Sequence, residues 1–192
     1  MVGDQWLDMA NIEATINVLG MFFDLCRGTK EDIRRKFNEQ TAQLDEEDYQ
    51  ELENTIEDVG RLITNIMETV SEFIKKFKAP ISEAVKNHLM PRFAGMFTIE
   101  NPTEAEMVDP CCFFIDVFEN LDPALAQSCY MDVLAKYIQI WDAHRQDEDR
   151  SVLQTTGYGM GVIAQVAPQD QFKEWGPGVL ERLVNLLAEP AS

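Results

Sequence analysis

Basic residues are scarce in this chain. Its 192 residues include 16 Lys plus Arg against 34 Asp plus Glu, a formal charge of −18. That balance excludes the basic face with which a nucleic-acid binder displaces counterions. It equally excludes a polybasic membrane-surface module. The natural complement is a partner carrying clustered Lys or Arg. Long hydrophobic runs are missing too. None approaches the ~18 residues needed to span a bilayer, and the acidic opening Met1–Asp8 does not resemble a secretory signal. No membrane and no nucleic acid are therefore expected as partners. With 45% hydrophobic and 26% charged residues the composition is globular. The expectation is a soluble, intracellular, acidic protein.

Cysteine and histidine are few and badly spaced for metal. Cys26, Cys111, Cys112 and Cys129 form no C-x-x-C pair, and His88 and His144 lie far from all of them. Adjacent Cys111 and Cys112 point about 100° apart on a helix and cannot share a metal corner. Small buried thiols in a reducing compartment are expected, with no metal and no cofactor. Strand signals are nearly absent: there is no sustained alternation and no Asn-Gly or Asp-Gly hairpin turn. The fold class is all-α.

Helical periodicity fills the chain. Asp8 predicts an N-cap for a helix with Ile12, Ile16, Leu19 and Phe23 on one face. Arg27-Gly28-Thr29 predicts an interruption, with Thr29 and Asp32 capping a basic helix that runs to about Leu44. From Tyr49 through Leu52, Ile56, Val59, Ile63, Ile66, Val70 and Phe73 to Phe77 the apolar steps alternate three and four. That is one long helix, with Gly60 as a candidate break. Ala79-Pro80 ends it. A helix over 81–97 follows, with Pro91 inside it as a kink or a late N-terminal turn, and then helices over 104–121, 123–141, 151–166 and from Pro168 to about Ala188. Residues 142–150 read as a polar loop.

An internal repeat runs through the second half. At an offset of 45 residues Val117 meets Val162, Phe118 meets Ile163, Leu121 meets Val166 and Pro123 meets Pro168. A weaker copy ends at Pro80. A period in the low forties built from two helices is the signature of a HEAT or armadillo-like helical solenoid. Asp147, Val152, Thr156, Met160, Gly161, Ile163 and Ala164 resemble the HEAT pattern of a loop Asp, a Val five residues on, and a small-apolar run. Leu153 stands where that family usually has Arg.

Residues 114–119, Phe-Ile-Asp-Val-Phe-Glu, and 156–165, Thr-Gly-Tyr-Gly-Met-Gly-Val-Ile-Ala-Gln, resemble consecutive repeats in the C-terminal half of importin-beta (karyopherin) receptors, importin-beta-3 type. The acidic run before a long helix also has a counterpart there. The resemblance implies a right-handed α-solenoid of about four antiparallel helix pairs, with approximate units 1–44, 45–97, 104–141 and 147–188. It implies a fragment of a longer nuclear import receptor that shuttles between cytoplasm and nucleus. The implied protein partners are basic nuclear-localisation cargo, the GTPase Ran in its GTP form, and phenylalanine-glycine (FG) nucleoporins. A monomer and no enzymatic activity are expected.

The residues that fit such binding are the carboxylates Asp45, Glu46, Glu47 and Asp48, and Asp147, Glu148 and Asp149, as seats for basic partners. Trp141, at a helix end before a polar loop, is the candidate aromatic contact. Neither acidic cluster has EF-hand spacing or a di-iron pattern. Gly157-x-Gly159-x-Gly161 lacks the preceding strand and spacing of a nucleotide site, so its glycines are expected to permit close helix packing. Two further readings stay open on the residues alone. One is a HEAT scaffold of the phosphatase or vesicle-coat type. The other is a bundle that dimerises along the Tyr49–Phe77 seam.

Overall fold

The computed structural model describes residues 8–40, 45–146 and 150–188, and among these the chain is entirely helical. In order the helices are α1 (Met9–Gln40), α2 (Glu46–Phe77), α3 (Ser82–His88), α4 (Met90–Ala94), α5 (Glu104–Asn120), α6 (Pro123–His144), α7 (Ser151–Val166) and α8 (Gln169–Ala188). Short 3₁₀ turns occupy Ala79–Ile81 and Gly95–Thr98. The contacts divide the chain into two compact units, Met1–Phe73 with Glu83–Arg92, and Ile74–Ser82 with Phe93–Ser192.

In the first unit α1 starts where Asp8 accepts a hydrogen bond from the Ala10 amide at 3.2 Å. Ile12, Ile16 and Phe23 are buried and Leu19 half-buried, as the periodicity predicts. The expected interruption at Arg27-Gly28-Thr29 is corrected: α1 runs through it. The Thr29 hydroxyl bonds back to the Leu25 carbonyl at 2.9 Å instead of capping a new helix, and glycine costs a helix only about 1 kcal/mol. Residues 41–44, including the expected end at Leu44, lie outside the described residues.

α2 is one uninterrupted helix of 32 residues, roughly 48 Å long at 1.5 Å per residue. Phe37 meets Tyr49 with ring centroids 4.7 Å apart, and a Cβ on Gly60 would lie 3.3 Å from Lys30 Nζ. Higher numbers on α1 thus meet lower numbers on α2, so the two run antiparallel. Gly60 is no break; it is where the buried Lys30 side chain passes. α2 buries Ile63, Met67, Val70 and Ile74, while Tyr49 near its start is 36% exposed. α3 and α4 pack on the first half of α1. Arg92 Nε donates to Asp24 at 2.7 Å, His88 Nε2 lies 3.5 Å from Glu13, and Gly20 sits under Arg92 and the His88 carbonyl. Of the two readings of Pro91 the structure has the N-terminal turn: the chain breaks at Leu89 between α3 and α4, and Pro91 is the second residue of α4.

In the second unit, prolines and caps set the boundaries. Thr103 closes a capping box on α5: Glu106 N donates to Thr103 Oγ1, and Thr103 N and Oγ1 both donate to Glu106 Oε2. The Glu106 carboxylate is buried, so these donors also satisfy it. Thr103→Ala is expected to cost about 1 kcal/mol and Thr103→Ser to restore it, read from the urea midpoint. Asp122 caps α6 by accepting from Ala124 N at 2.8 Å, and its own amide donates to Ser82 Oγ at 2.9 Å.

α7 is the centre of this unit, packed against α5, α6 and α8. The 45-residue offset carries over into burial. Met107 and Val152, Cys111 and Thr156, Phe114 and Gly159, Ile115 and Met160, Val117 and Val162, and Phe118 and Ile163 are all buried pairs. The helix starts differ by one residue. Pro123 is the first residue of α6, whereas Pro168 precedes α8 and supplies the carbonyl that accepts from Phe172 N.

Candidate interaction surfaces

The first acidic run begins with a residue that has a local task. Asp45 Oδ1 accepts from the Asp48 amide at 2.9 Å and the Asp45 carbonyl accepts from Tyr49 N at 3.0 Å, so Asp45 is the N-cap of α2. Glu46, Glu47 and Asp48 form the first turn, where a carboxylate is favoured by the helix dipole. All four are exposed, and Glu51, Glu53, Glu57 and Asp58 extend the same helix with further exposed carboxylates. Asp58 pairs with Arg61. The rest give the first half of α2 a strongly negative solvent surface. The second run, Asp147, Glu148 and Asp149, lies outside the described residues.

Trp141 is corrected. It is 2% exposed and ranks first among the large fully buried side chains. The reason is that α6 does not stop at Trp141: it continues to His144. The ring therefore faces α7, where a Cβ on Gly157 would lie 3.0 Å from Trp141 Cζ3. Asp142, expected in a loop, is the helical neighbour that pairs with Arg182 of α8 in a two-bond contact at 2.9 and 2.8 Å. The Arg182 hydrogen bond holds the Asp142 carboxyl below the usual range.

Of the three glycines on α7, two admit aromatic rings of α6. A Cβ on Gly159 would lie 2.2 Å from Tyr137 Cε2, while nothing approaches within 4 Å of Gly161. The packing expectation holds for Gly157 and Gly159 and fails for Gly161. The thiols also differ from expectation. Cys111 is buried, but Cys112 is exposed and Cys26 and Cys129 are intermediate. Burial first, then the neighbouring Asp132 charge, pushes the Cys129 thiol up to about 11. Burial likewise raises Cys111 and Cys112. These thiols stay protonated at neutral pH and are poor nucleophiles.

A cleft that sequence reasoning missed opens in the second unit. Met96, Phe97, Ile99 and Pro102 form one wall and Lys136, Ile140 and His144 of α6 the other, around a cavity of about 160 Å³. An apolar cavity of roughly 150 Å³ holds a benzene ring, so this one has room for one aromatic or branched aliphatic side chain. Met107 and Ala143 add apolar lining, and the polar lining comes from Glu106, Lys136, Gln139 and His144. No local pattern announces it, because its two walls are some forty residues apart in sequence.

Among the described residues no group of three or more His, Cys, Asp or Glu could hold a metal ion. No described helix is long and apolar enough to cross a membrane. The chain matches no model of a known protein family, and no curated protein matches it.

Proposed function

We propose that this chain is a protein-binding HEAT-repeat segment of an importin-beta type nuclear transport receptor, non-enzymatic and cofactor-free. The observation that carries the reading is the recurrence of one burial pattern at 45 residues in α5 and α7, each followed by a helix that begins at or just after a proline. Stacked pairs of this kind build a right-handed solenoid whose long surface binds other proteins. Two surfaces support that use. The exposed carboxylates of α2 complement a Lys- and Arg-rich localisation sequence. The cleft between Ile99 and Ile140 suits a phenylalanine of an FG nucleoporin. Binding of Ran-GTP, and shuttling between cytoplasm and nucleus, belong to the same proposal.

The test is titration of a fluorescent Lys/Arg-rich peptide at low and physiological salt. The informative variant changes Glu46, Glu47, Asp48 and Glu51 to their amides and leaves Asp45 intact, because Asp45 caps the helix. Affinity is expected to fall about tenfold in the variant and to weaken with salt in both proteins. Absence of binding by a folded chain, or binding indifferent to salt, removes the cargo role of α2.

A further inference from the structure

α1 is apolar on two opposite sides. Ile12, Ile16 and Phe23 are buried on one. The other exposes Val18, Met21, Phe22 and Leu25, at 47%, 59%, 55% and 64%. Their spacing of three, one and three residues sets all four within one stripe about 100° wide. The stripe continues through Ala14 and Thr15 on one side and Gly28 and Thr29 on the other, all exposed and none charged. A surface helix ordinarily keeps this side for charged residues, whereas a helix apolar all round is a covered one.

Two further observations say what covers it. The charges beside and just beyond the stripe are already answered within the chain: Asp24 by Arg92 at 2.7 Å and Asp32 by Arg35 at 2.8 Å. The occupant therefore needs an uncharged apolar stripe of its own. Gly28 is the second. A glycine inside an exposed helix costs about 1 kcal/mol against alanine, yet nothing lies within 4 Å of the position its Cβ would take. Its own chain makes no use of that space.

We infer that this face seats a second copy of the chain across a two-fold axis, the two α1 helices antiparallel. An axis between Met21 and Phe22 sets Val18 against Leu25 of the second copy, and Met21 against Phe22. The same register sets Thr15 against Gly28 and Ala14 against Thr29, so small residues meet at both ends and the helices approach closely. At roughly 200 Å² for a fully exposed large side chain, the four exposed residues cover on the order of 900 Å² across the pair. The small residues at the ends carry the contact past the ~1,000 Å² that a specific interface needs. The alternative dimer seam along α2 is not available for this purpose, because Ile63 and Val70 are buried within the chain.

The inference stands apart from the transport reading, and salt separates the two. Two chains of −18 each repel, so this association tightens as salt screens them, whereas basic-peptide binding weakens. Sedimentation equilibrium of the whole chain from about 1 to about 100 μM is expected to show a monomer–dimer equilibrium that tightens with salt. Phe22→Glu buries an unpaired charge at the axis and is expected to weaken the dimer about a hundredfold. Phe22 is exposed in the monomer, so circular dichroism and the urea midpoint stay unchanged. Val184→Glu, at the exposed apolar position on α8, leaves the dimer intact. A monomer throughout the range overturns the inference. So does a dimer that survives Phe22→Glu or is lost in Val184→Glu, and so do species that grow beyond the dimer.

Discussion

Gly159→Ala is expected to destabilise the protein by about 3 kcal/mol or more, with the urea midpoint lowered and the slope unchanged. Three atoms of the Tyr137 ring, Cε2, Cδ2 and Cζ, would lie 2.2, 2.9 and 3.0 Å from the new methyl group. A ring can yield to such pressure only by swinging away, and this one is held. Tyr137 is fully buried, its hydroxyl donates to the Cys111 carbonyl at 2.8 Å, and its ring lies edge-on to Phe97. Moving it would also leave the buried Tyr137 hydroxyl without its acceptor, which costs a further 1–3 kcal/mol or so. Gly161→Ala is the internal control. It lies two residues along the same helix, is exposed, and meets nothing within 4 Å. Alanine there is expected to stabilise by up to about 1 kcal/mol through helix propensity alone. If both substitutions behave alike, the close approach of α6 to α7 at Gly159 is wrong.

The two glycines also mark where sequence reading succeeds and where it stops. That the glycines allow helix packing follows from a run of small residues inside a helical pattern. Which of them touches a neighbour depends on side chains from another helix, and no local pattern carries that. Boundaries set by local chemistry were legible: the Thr103–Glu106 capping box, the Asp122-Pro123 start and the Ala79-Pro80 stop all fall where the residues predict. Arg27-Gly28-Thr29 was misread for a physical reason. Its breaker signal is worth about 1 kcal/mol, less than the packing that fixes the same helix on either side of the turn, burial of Ile16 and Phe23 before it and the Phe37 ring against Tyr49 after it. The second apolar face of α1 was present in the sequence at positions 18, 21, 22 and 25, interleaved with the first. Periodicity shows two stripes there, but it does not say which is covered. The acidic start of α2 was legible as charge, while the division of labour within it was not. Asp45 caps the helix and the three that follow face solvent.

Trp141→Ala is expected to cost about 3–5 kcal/mol, and the pattern of its effects distinguishes a core residue from a contact residue. A partner contact would lose affinity at constant stability. Trp141 lies with its Cζ3 and Cη2 3.0 and 3.7 Å from where a Cβ of Gly157 would stand. Its removal therefore opens a cavity between α6 and α7, and stability falls while each folded molecule binds its partners as before. The pairing with Gly157 makes the claim testable by a double-mutant cycle. In the native protein Gly157→Ala presses a methyl group onto the indole, tighter than ordinary contact, and is expected to destabilise by about 1–3 kcal/mol. With Trp141 replaced by Ala the pressure is gone. Only Leu183 Cδ2 remains near, at 3.4 Å, and the methyl group gains about 1 kcal/mol of helix propensity. Gly157→Ala should therefore change sign between the two backgrounds. Additive costs would mean that the indole does not lie over Gly157, and the burial of Trp141 would then need another explanation than the continuation of α6 to His144.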